Sequence, residues 1–407
     1  MNGTLAERLA ELSARAKFGM TLGLDRVRSA LAEVGDPHEG LAVAHVAGSN
    51  GKGSTSAMIE SIARAAGLST GLYTSPHLAR FAERIRIGGR EIEDDPFEDA
   101  LEKALRAASG ELTFFEALTV AAFVAFRDAN VDLAVLEVGL GGRLDATNVV
   151  ARPLACAITS ISLEHTAVLG GTIDAIAREK AGILKRGAPY VLGRLPAEAA
   201  RAIDEVAANV GAGPKWTRPL APVDTALHGE HQRWNAAVAS AVADMLSARF
   251  PSIPGAIRRG LAEVRWPGRF EKIAARNGVT VIFDGAHNDE GAEALVRAFA
   301  KEGAPKERTT LVFGALADKS WSAMLGAVAD LASRRIYTAP KGRAPAPFED
   351  LARVAPGAIE PDPAKALNRA IDEAQPGDTV LVTGSLYLVG EARAALLGLT
   401  SDPIIPL

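Results

Sequence analysis

The chain has 407 residues, of which 48% are hydrophobic and 23% charged, and its net charge is −4 at pH 7. That length exceeds one typical core, so two domains are expected. The mild acidity and the lack of a long Lys/Arg run argue against nucleic acid as a partner, and no stretch approaches the ~20 uninterrupted apolar residues of a membrane span. The first residues, Met1 to Arg8, lack the basic-then-apolar layout of a secretion signal. The single cysteine, Cys156, sits in the apolar run Leu154-Ala155-Cys156-Ala157-Ile158 and reads as a buried small residue in a reducing cytosol. A cytoplasmic, monomeric protein acting on small molecules is the expectation.

Residues 5–16 read as a short amphipathic helix, and residues 18–28 as a loop entering a second helix. The strand-like run Ala42-Val43-Ala44-His45-Val46-Ala47 then leads into Gly48-Ser49-Asn50-Gly51-Lys52-Gly53-Ser54-Thr55. A helix follows, with Ala57, Ile59, Ile62, Ala63 and Ala66 on its apolar side. This is the layout of a phosphate-binding loop: glycines let the backbone approach an anion, helix N-terminal N–H groups point at it, and a lysine caps the charge. The spacing departs from G-x-x-x-x-G-K-[ST], because Val46 stands where the first Gly would be and Gly53 follows Lys52 in place of a hydroxyl. A Gly-rich turn with a solvated lysine is the ordinary alternative. It does not explain why strand, turn, lysine and helix coincide.

A second strand over residues 70–74 opens into Ser75-Pro76-His77, where Pro76 disfavours helix at Ser75. The alternation Arg84-Ile85-Arg86-Ile87 before Gly88-Gly89 predicts a hairpin. Thr113-Phe114-Phe115-Glu116 starts a long apolar helix through Phe126, and the strand over residues 133–136 ends on Glu137. The strand over 154–158 leads into Ser160-Ile161-Ser162-Leu163-Glu164-His165. Strands alternating with helices imply a mostly parallel sheet, whose functional groups gather beyond the carboxyl ends of the strands. Gly48 to Ser54, Ser75, Glu137 and His165 are therefore expected on one edge.

A boundary falls near Trp266-Pro267-Gly268-Arg269-Phe270. Beyond it, a strand over 279–283 ends on Asp284-Gly285-Ala286-His287-Asn288, and further units begin near Thr310, Arg335 and Thr379. The expected fold class is α/β: a P-loop NTPase-like N-terminal domain with a mostly parallel sheet over 1–270, and a smaller Rossmann-like α/β domain over 271–407.

A triphosphate held this way needs a divalent cation. With Gly53 behind Lys52, ligands must come from elsewhere. Glu137 at a strand end is the best placed, with Ser75 and His165 next. Against these stand a solvated rim carboxylate, a structural histidine and a turn serine. Gly139-Leu140-Gly141-Gly142-Arg143 suggests a dinucleotide fingerprint, but the spacing is wrong and no apolar helix follows, so Asp145 and Asn148 are read as loop residues. No nucleophile elbow and no cysteine-pair metal site is present. Unaided, the residues point to a two-domain, magnesium-dependent ATP user whose second domain closes over the first.

The phosphate loop, however, resembles that of the folylpolyglutamate synthase/dihydrofolate synthase family, within the Mur ligase superfamily. Further motifs are similar in order along the chain: Tyr73-Thr74-Ser75-Pro76-His77-Leu78, Glu83-Arg84-Ile85, Thr113 to Glu116, the block from Leu136 to Asn148, Glu179-Lys180-Ala181-Gly182-Ile183, His231-Gln232 through Asn235-Ala236, Pro267 to Phe270, and Asp284 to Asn288. The resemblance implies an ATP-dependent ligase that joins L-glutamate to dihydropteroate or a reduced folate through an acyl phosphate. Asn50, Gly51, Lys52, Gly53 and Ser54 would hold the ATP phosphates, and Asn235, Arg269 and Asp284 would contact the nucleotide. Ser75 and Glu137 would bind one Mg2+ and His165 a second. Lys180 corresponds to a lysine carbamylated in this family. Thr113, Phe114, Phe115, Glu116, Leu144, Asp145 and Ala146 would line the pteroate pocket. Lys52, Glu137, His165 and Lys180 form the implied catalytic set.

Two departures stand out: Glu164 precedes the histidine where the family has Asp, and Ser49 replaces Thr. Gly384 and Ser385, at a strand-to-helix junction, are candidates for glutamate's carboxylate. A cell-wall amino-acid ligase of the same superfamily is the nearest rival, but the short lead before Ala42 leaves no room for its uridine-nucleotide domain. A nucleotide-binding switch that ligates nothing is the rival of a different class.

Overall fold

The structure is a computed structural model, and it describes residues 23–107 and 112–402. The helix expected over residues 5–16 lies outside the described residues. Two sheets organise the chain. The first has seven strands in the order β4-β3-β2-β5-β1-β6-β7: β1 Val43–Ala47, β2 Thr70–Tyr73, β3 Ile85–Ile87, β4 Arg90–Glu91, β5 Leu133–Glu137, β6 Ala155–Ile158 and β7 Tyr190–Leu192. The strands β2, β5, β1, β6 and β7 are parallel neighbours, and β3 and β4 form the antiparallel hairpin expected at Gly88-Gly89.

Parallel strands are covered by helices on both faces, so they are apolar on both sides. In β1 this alternation sends Val43 toward the helices Asp25–Glu33 and Phe114–Asp128. Its neighbours Ala44 and Val46 pack toward Lys52–Ala65 and Glu230–Leu246. Each large apolar side chain buried this way contributes about 1.5–3 kcal/mol. The bulk of the stabilisation thus lies beneath the strand ends, not at them.

The second sheet has six strands in the order β12-β11-β10-β13-β9-β8: β8 Glu271–Ala274, β9 Thr280–Asp284, β10 Thr309–Phe313, β11 Arg334–Tyr337, β12 Ala358–Ile359 and β13 Thr379–Thr383. All its pairings are parallel except β8 with β9. Helices Asp289–Glu302 and Trp321–Val328 cover one face, with Pro363–Asp372 and Leu386–Leu397 on the other. The fold is α/β, with two mostly parallel sheets. None of the helices in the described residues is long and apolar enough to cross a membrane.

Candidate active site

The carboxyl end of β1 runs into the Gly-rich loop, and two close approaches set its shape. A Cβ on Gly48 would lie 2.0 Å from Thr159 Oγ1, and one on Gly51, whose φ is +85°, would lie 2.5 Å from Asn235 Oδ1. The loop is braced from the segment after β6. Thr159 Oγ1 donates to the Asn50 carbonyl at 2.7 Å, and the Asn50 N–H donates to Ser160 Oγ at 2.8 Å. Gly51 caps the helix Lys52–Ala65 without a side-chain bond, which leaves the first N–H groups facing the open space in front of the loop. Lys52 folds back over the loop, its Nζ donating to the carbonyls of Gly48 and Ser49 at 2.9 Å each. Gly53 explains the missing hydroxyl. A Cβ there would come within 3.2 Å of the Trp266 ring nitrogen and 3.4 Å of Glu137 Oε2, so a carboxylate already occupies the approach.

Glu137 ends β5 and is buried, and its Oε2 accepts the Ser75 N–H at 3.1 Å. Burial raises its pKa, against the pull of Lys52, the Ser75 N–H, Arg269 and Arg84. His165 sits beyond β6 with φ +47°. Burial lowers its pKa, while Glu164 works to raise it. The extra methylene of Glu164 is used: Oε1 accepts from Lys180 Nζ at 2.7 Å. Lys180, only 2% exposed, also donates to the Gly48 carbonyl at 3.0 Å. Burial acts to raise Glu164, but the Lys52 and Lys180 ammonium groups outweigh it and hold the carboxylate at about 2. Burial and repulsion from Lys52 lower Lys180 to about 8.

On another wall, Thr113 and Glu116 close a capping box, with Glu116 Oε2 accepting the Thr113 N–H at 2.8 Å and Thr113 Oγ1 accepting the Glu116 N–H at 3.3 Å. Glu116 also pairs with Arg26 at 2.7 Å. Asp145 is fully employed: Oδ2 accepts the Gly139 and Leu140 N–H groups, and Oδ1 accepts Thr147 N–H and Oγ1. Thr147 in turn lies 2.8 Å from His45 Nε2 in the middle of β1. Asp145 thus ties the loop from Gly139 to Thr147 to the strand that launches the phosphate loop.

The second sheet supplies the opposite wall. Asp284 ends β9, accepting the Phe270 and Ala286 N–H groups at 2.9 and 3.0 Å, and burial pushes its carboxyl up to about 6 against Arg269. Asn288 caps the helix Asp289–Glu302 with Oδ1 and donates from Nδ2 to Asn50 Oδ1 at 3.0 Å. Asn50 Nδ2 donates to Glu290 at 2.6 Å. These two bonds join the phosphate loop to the second sheet.

One cavity of about 1370 Å³ lies between the two sheets. It is lined by Asn50, Gly51, Lys52, Gly53, Ser54, Ser75, Glu137, His165, Asn235, Arg269 and Asp284, together with Thr113, Phe114, Phe115, Glu116, Leu144, Asp145 and Ala146. Lys180 alone of the expected set does not line it and sits behind the loop against Gly48. Gly384 and Ser385 also face it. Several other residues line it: Arg84, Trp234, His287 and Asn288 fall within the motifs of the sequence but had no role assigned, and Arg194, Glu290, Lys319 and Tyr387 lie outside them. Asn288 carried a signal as an Asn opening a helix. Glu290 carried none, since its partner is 240 positions away.

The donor chemistry suits a hard cation. Among the described residues no three His, Cys, Asp or Glu side chains gather into a metal cage. Ser75 and Glu137 both line the cavity, and one carboxylate with one hydroxyl suits a cation that keeps waters and takes the rest of its shell from phosphate oxygens.

Residues 46–200 match the Mur ligase middle domain, and residues 268–386 match the Mur ligase, glutamate ligase domain. A dihydrofolate synthase/folylpolyglutamate synthase of Bacillus subtilis is 33% identical, over 94% of this chain and 96% of its own. A probable bifunctional folylpolyglutamate synthase/dihydropteroate synthase of Haloferax volcanii is 39% identical over 93% of this chain, which spans about half (49%) of that longer protein. The solved structure of Escherichia coli FolC in complex with DHPP and ADP aligns with a TM-score of 0.82 and 32% identity, covering 97% of this chain and 98% of that one. A bifunctional folylpolyglutamate synthase/dihydrofolate synthase solved with Mn, AMPPNP and L-glutamate bound aligns with a TM-score of 0.80 and 32% identity, covering 96% and 98%. With its Gly-rich loop after β1, a cavity between two sheets and similarity over more than nine-tenths of its length, the chain belongs to the folylpolyglutamate synthase/dihydrofolate synthase family of Mur ligases, a family of ATP-dependent ligases.

Proposed function

We propose that the protein joins L-glutamate to dihydropteroate, to tetrahydrofolates, or to both, at the expense of ATP. The carrying observation is the shared cavity. A phosphate loop, an oxygen donor pair and an aromatic-lined wall open onto one space between two sheets. In this reading Asn50 to Ser54 take the ATP phosphates, with Asn235, Arg269 and Asp284 on the nucleoside. Phe114, Phe115, Leu144 and Ala146 flank the pterin, with Thr113, Glu116 and Asp145 holding that wall in shape. The division into a domain over 1–270 and one over 271–407 belongs to the same reading.

A free carboxylate is a poor electrophile, so the acid must first take the γ-phosphoryl group. The glutamate amine then attacks the acyl carbon, and phosphate leaves as the amide forms. Lys52 follows the negative charge of the transferring group, and the N–H groups at the start of its helix offer fixed dipoles for the same charge. Ser75 and Glu137 would hold one Mg2+ and His165 a second. When bound, these cations neutralise phosphate charge. The bonds from Asn50 to Asn288 and Glu290 close the second sheet over the loop and keep water from the mixed anhydride. Gly384 and Ser385, which line the cavity, would present N–H groups to a glutamate carboxylate.

Lys180 is the candidate for carbamylation. Both neighbours of its Nζ, Glu164 and the Gly48 carbonyl, are acceptors and suit an ammonium. A carbamate there would face Glu164 as a second anion and would need the cations of the loaded site to balance it. The test of the whole reading is ADP release with dihydropteroate plus glutamate, and then with tetrahydrofolate plus glutamate, omitting each component in turn. Turnover that needs all components supports the ligase, whereas ADP release indifferent to glutamate and pterin acid overturns it.

A further inference from the structure

Arg84 is the largest fully buried side chain among the described residues, 1% exposed, yet it lines the cavity. Its position follows from the hairpin. Its carbonyl accepts the Thr74 N–H at 2.9 Å just before β3, which places it beside the end of β2, next to Ser75. The guanidinium rests over the Phe114 ring, 5.1 Å from the centroid, and Nε donates to His77 Nδ1 at 2.9 Å. Its Nη2 is buried without a hydrogen-bond partner. Arg84 forms no ion pair within the described residues; burial lowers its pKa, against the pull of the neighbouring Tyr73 and Tyr387 phenols and of Glu137.

A buried cation without a counter-charge is costly, and an orphaned donor adds to that cost. A fold keeps such a group where something that arrives later completes it. The phosphate side of the cavity already has Lys52 and a helix N-terminus. Arg84 lies on the other side, stacked on the aromatic wall, one strand from Ser75 and two from Glu137. The ligand that fits is therefore a carboxylate carried by an aromatic acid, delivered next to the γ-phosphate. We propose that Arg84 holds, through Nη2, the carboxylate of the pterin acid at the point where it is phosphorylated. This rests on the function proposed above. Arg84 fixes one carboxylate oxygen, so the other is left to attack phosphorus. The new C–O–P bond forms as the P–O bond to ADP breaks, and ADP leaves with that electron pair.

The test measures binding with a non-hydrolysable ATP analogue at saturation, using dihydropteroate and its carboxamide as probes. A charged hydrogen bond corresponds to about 10- to 100-fold in affinity. Wild-type protein is expected to prefer acid to amide by about that factor. Arg84→Met is expected to lose it for the acid while changing amide and ATP-analogue affinity less than about threefold. The ligand-free variant should melt at the same or a higher temperature, because an uncompensated buried charge has gone. Arg84→Lys is the second variant, which keeps the charge but not the forked donor, and it should weaken the acid and not the amide. Equal losses for acid and amide in either variant, or an unchanged preference for the acid, would overturn the proposal. Wild-type protein that binds the ATP analogue but neither pterin probe would instead remove the functional reading, and this proposal with it.

Discussion

His45 offers the sharpest link between the core and the pterin wall. It lies in the middle of β1, fully buried, with Nε2 2.8 Å from Thr147 Oγ1 and no partner at Nδ1. The Thr147 hydroxyl donates to Asp145 Oδ1 at 2.5 Å, so its oxygen accepts and His45 carries its proton on Nε2. Burial, with help from Lys185, lowers its pKa from 6.5 to about 3. The folded imidazole therefore stays neutral while the unfolded one protonates. Its contribution is present above pH 6.5 and is lost as the pH falls toward about 3. Each unit in that window costs about 1.4 kcal/mol, so from neutral pH to pH 4.5 this residue alone removes about 2–3 kcal/mol. His45→Gln keeps a donor for Thr147 and cannot titrate. Urea unfolding of both proteins at pH 7.5 and pH 4.5 isolates the effect, because the other buried histidines are common to both. The variant should lose about 2–3 kcal/mol less than wild type over that interval. Parallel losses would refute the neutral buried state of His45 and the hydrogen-bond chain built on it.

Glu164→Gln leaves the Lys180 ammonium buried without its anion and should destabilise the protein by about 3 kcal/mol, read from the urea midpoint. Gly51→Ala forces a side chain into φ +85° and toward Asn235 Oδ1, so the KM for ATP should rise at least about tenfold. Asp284, pushed up to about 6 by burial, is ionised above that pH and protonated below it. ADP affinity by calorimetry should fall between pH 7.5 and pH 5, and Asp284→Asn should bind weakly at both with that dependence gone.

What was legible in the sequence follows from where the information is local. The phosphate loop, the strand ends at Ser75 and Glu137, and the hairpin at Gly88-Gly89 announce themselves within a few residues, because turns, glycines and alternation are short-range signals. Lys180 was half legible. In the helix Ile173–Ala181 the buried positions are Ile176, Ala177, Lys180 and Ala181, which places the lysine on the apolar stripe and not the solvated face. Arg84 gave no local sign of its burial, since the alternation Arg84-Ile85-Arg86-Ile87 predicts only a hairpin while the first arginine is sealed in the core. The ties from Asn50 to Asn288 and Glu290 join positions about 240 residues apart. No local pattern encodes a contact that exists only once both sheets have formed.

On the function proposed above, this cavity turns a pterin acid into a mixed anhydride before glutamate arrives. Dihydropteroate labelled with 18O in its carboxylate tests it directly, by mass spectrometry of the inorganic phosphate released during turnover with ATP and glutamate. Transfer of label from the acid to phosphate is the predicted result. Phosphate free of label, alongside amide product, would contradict it.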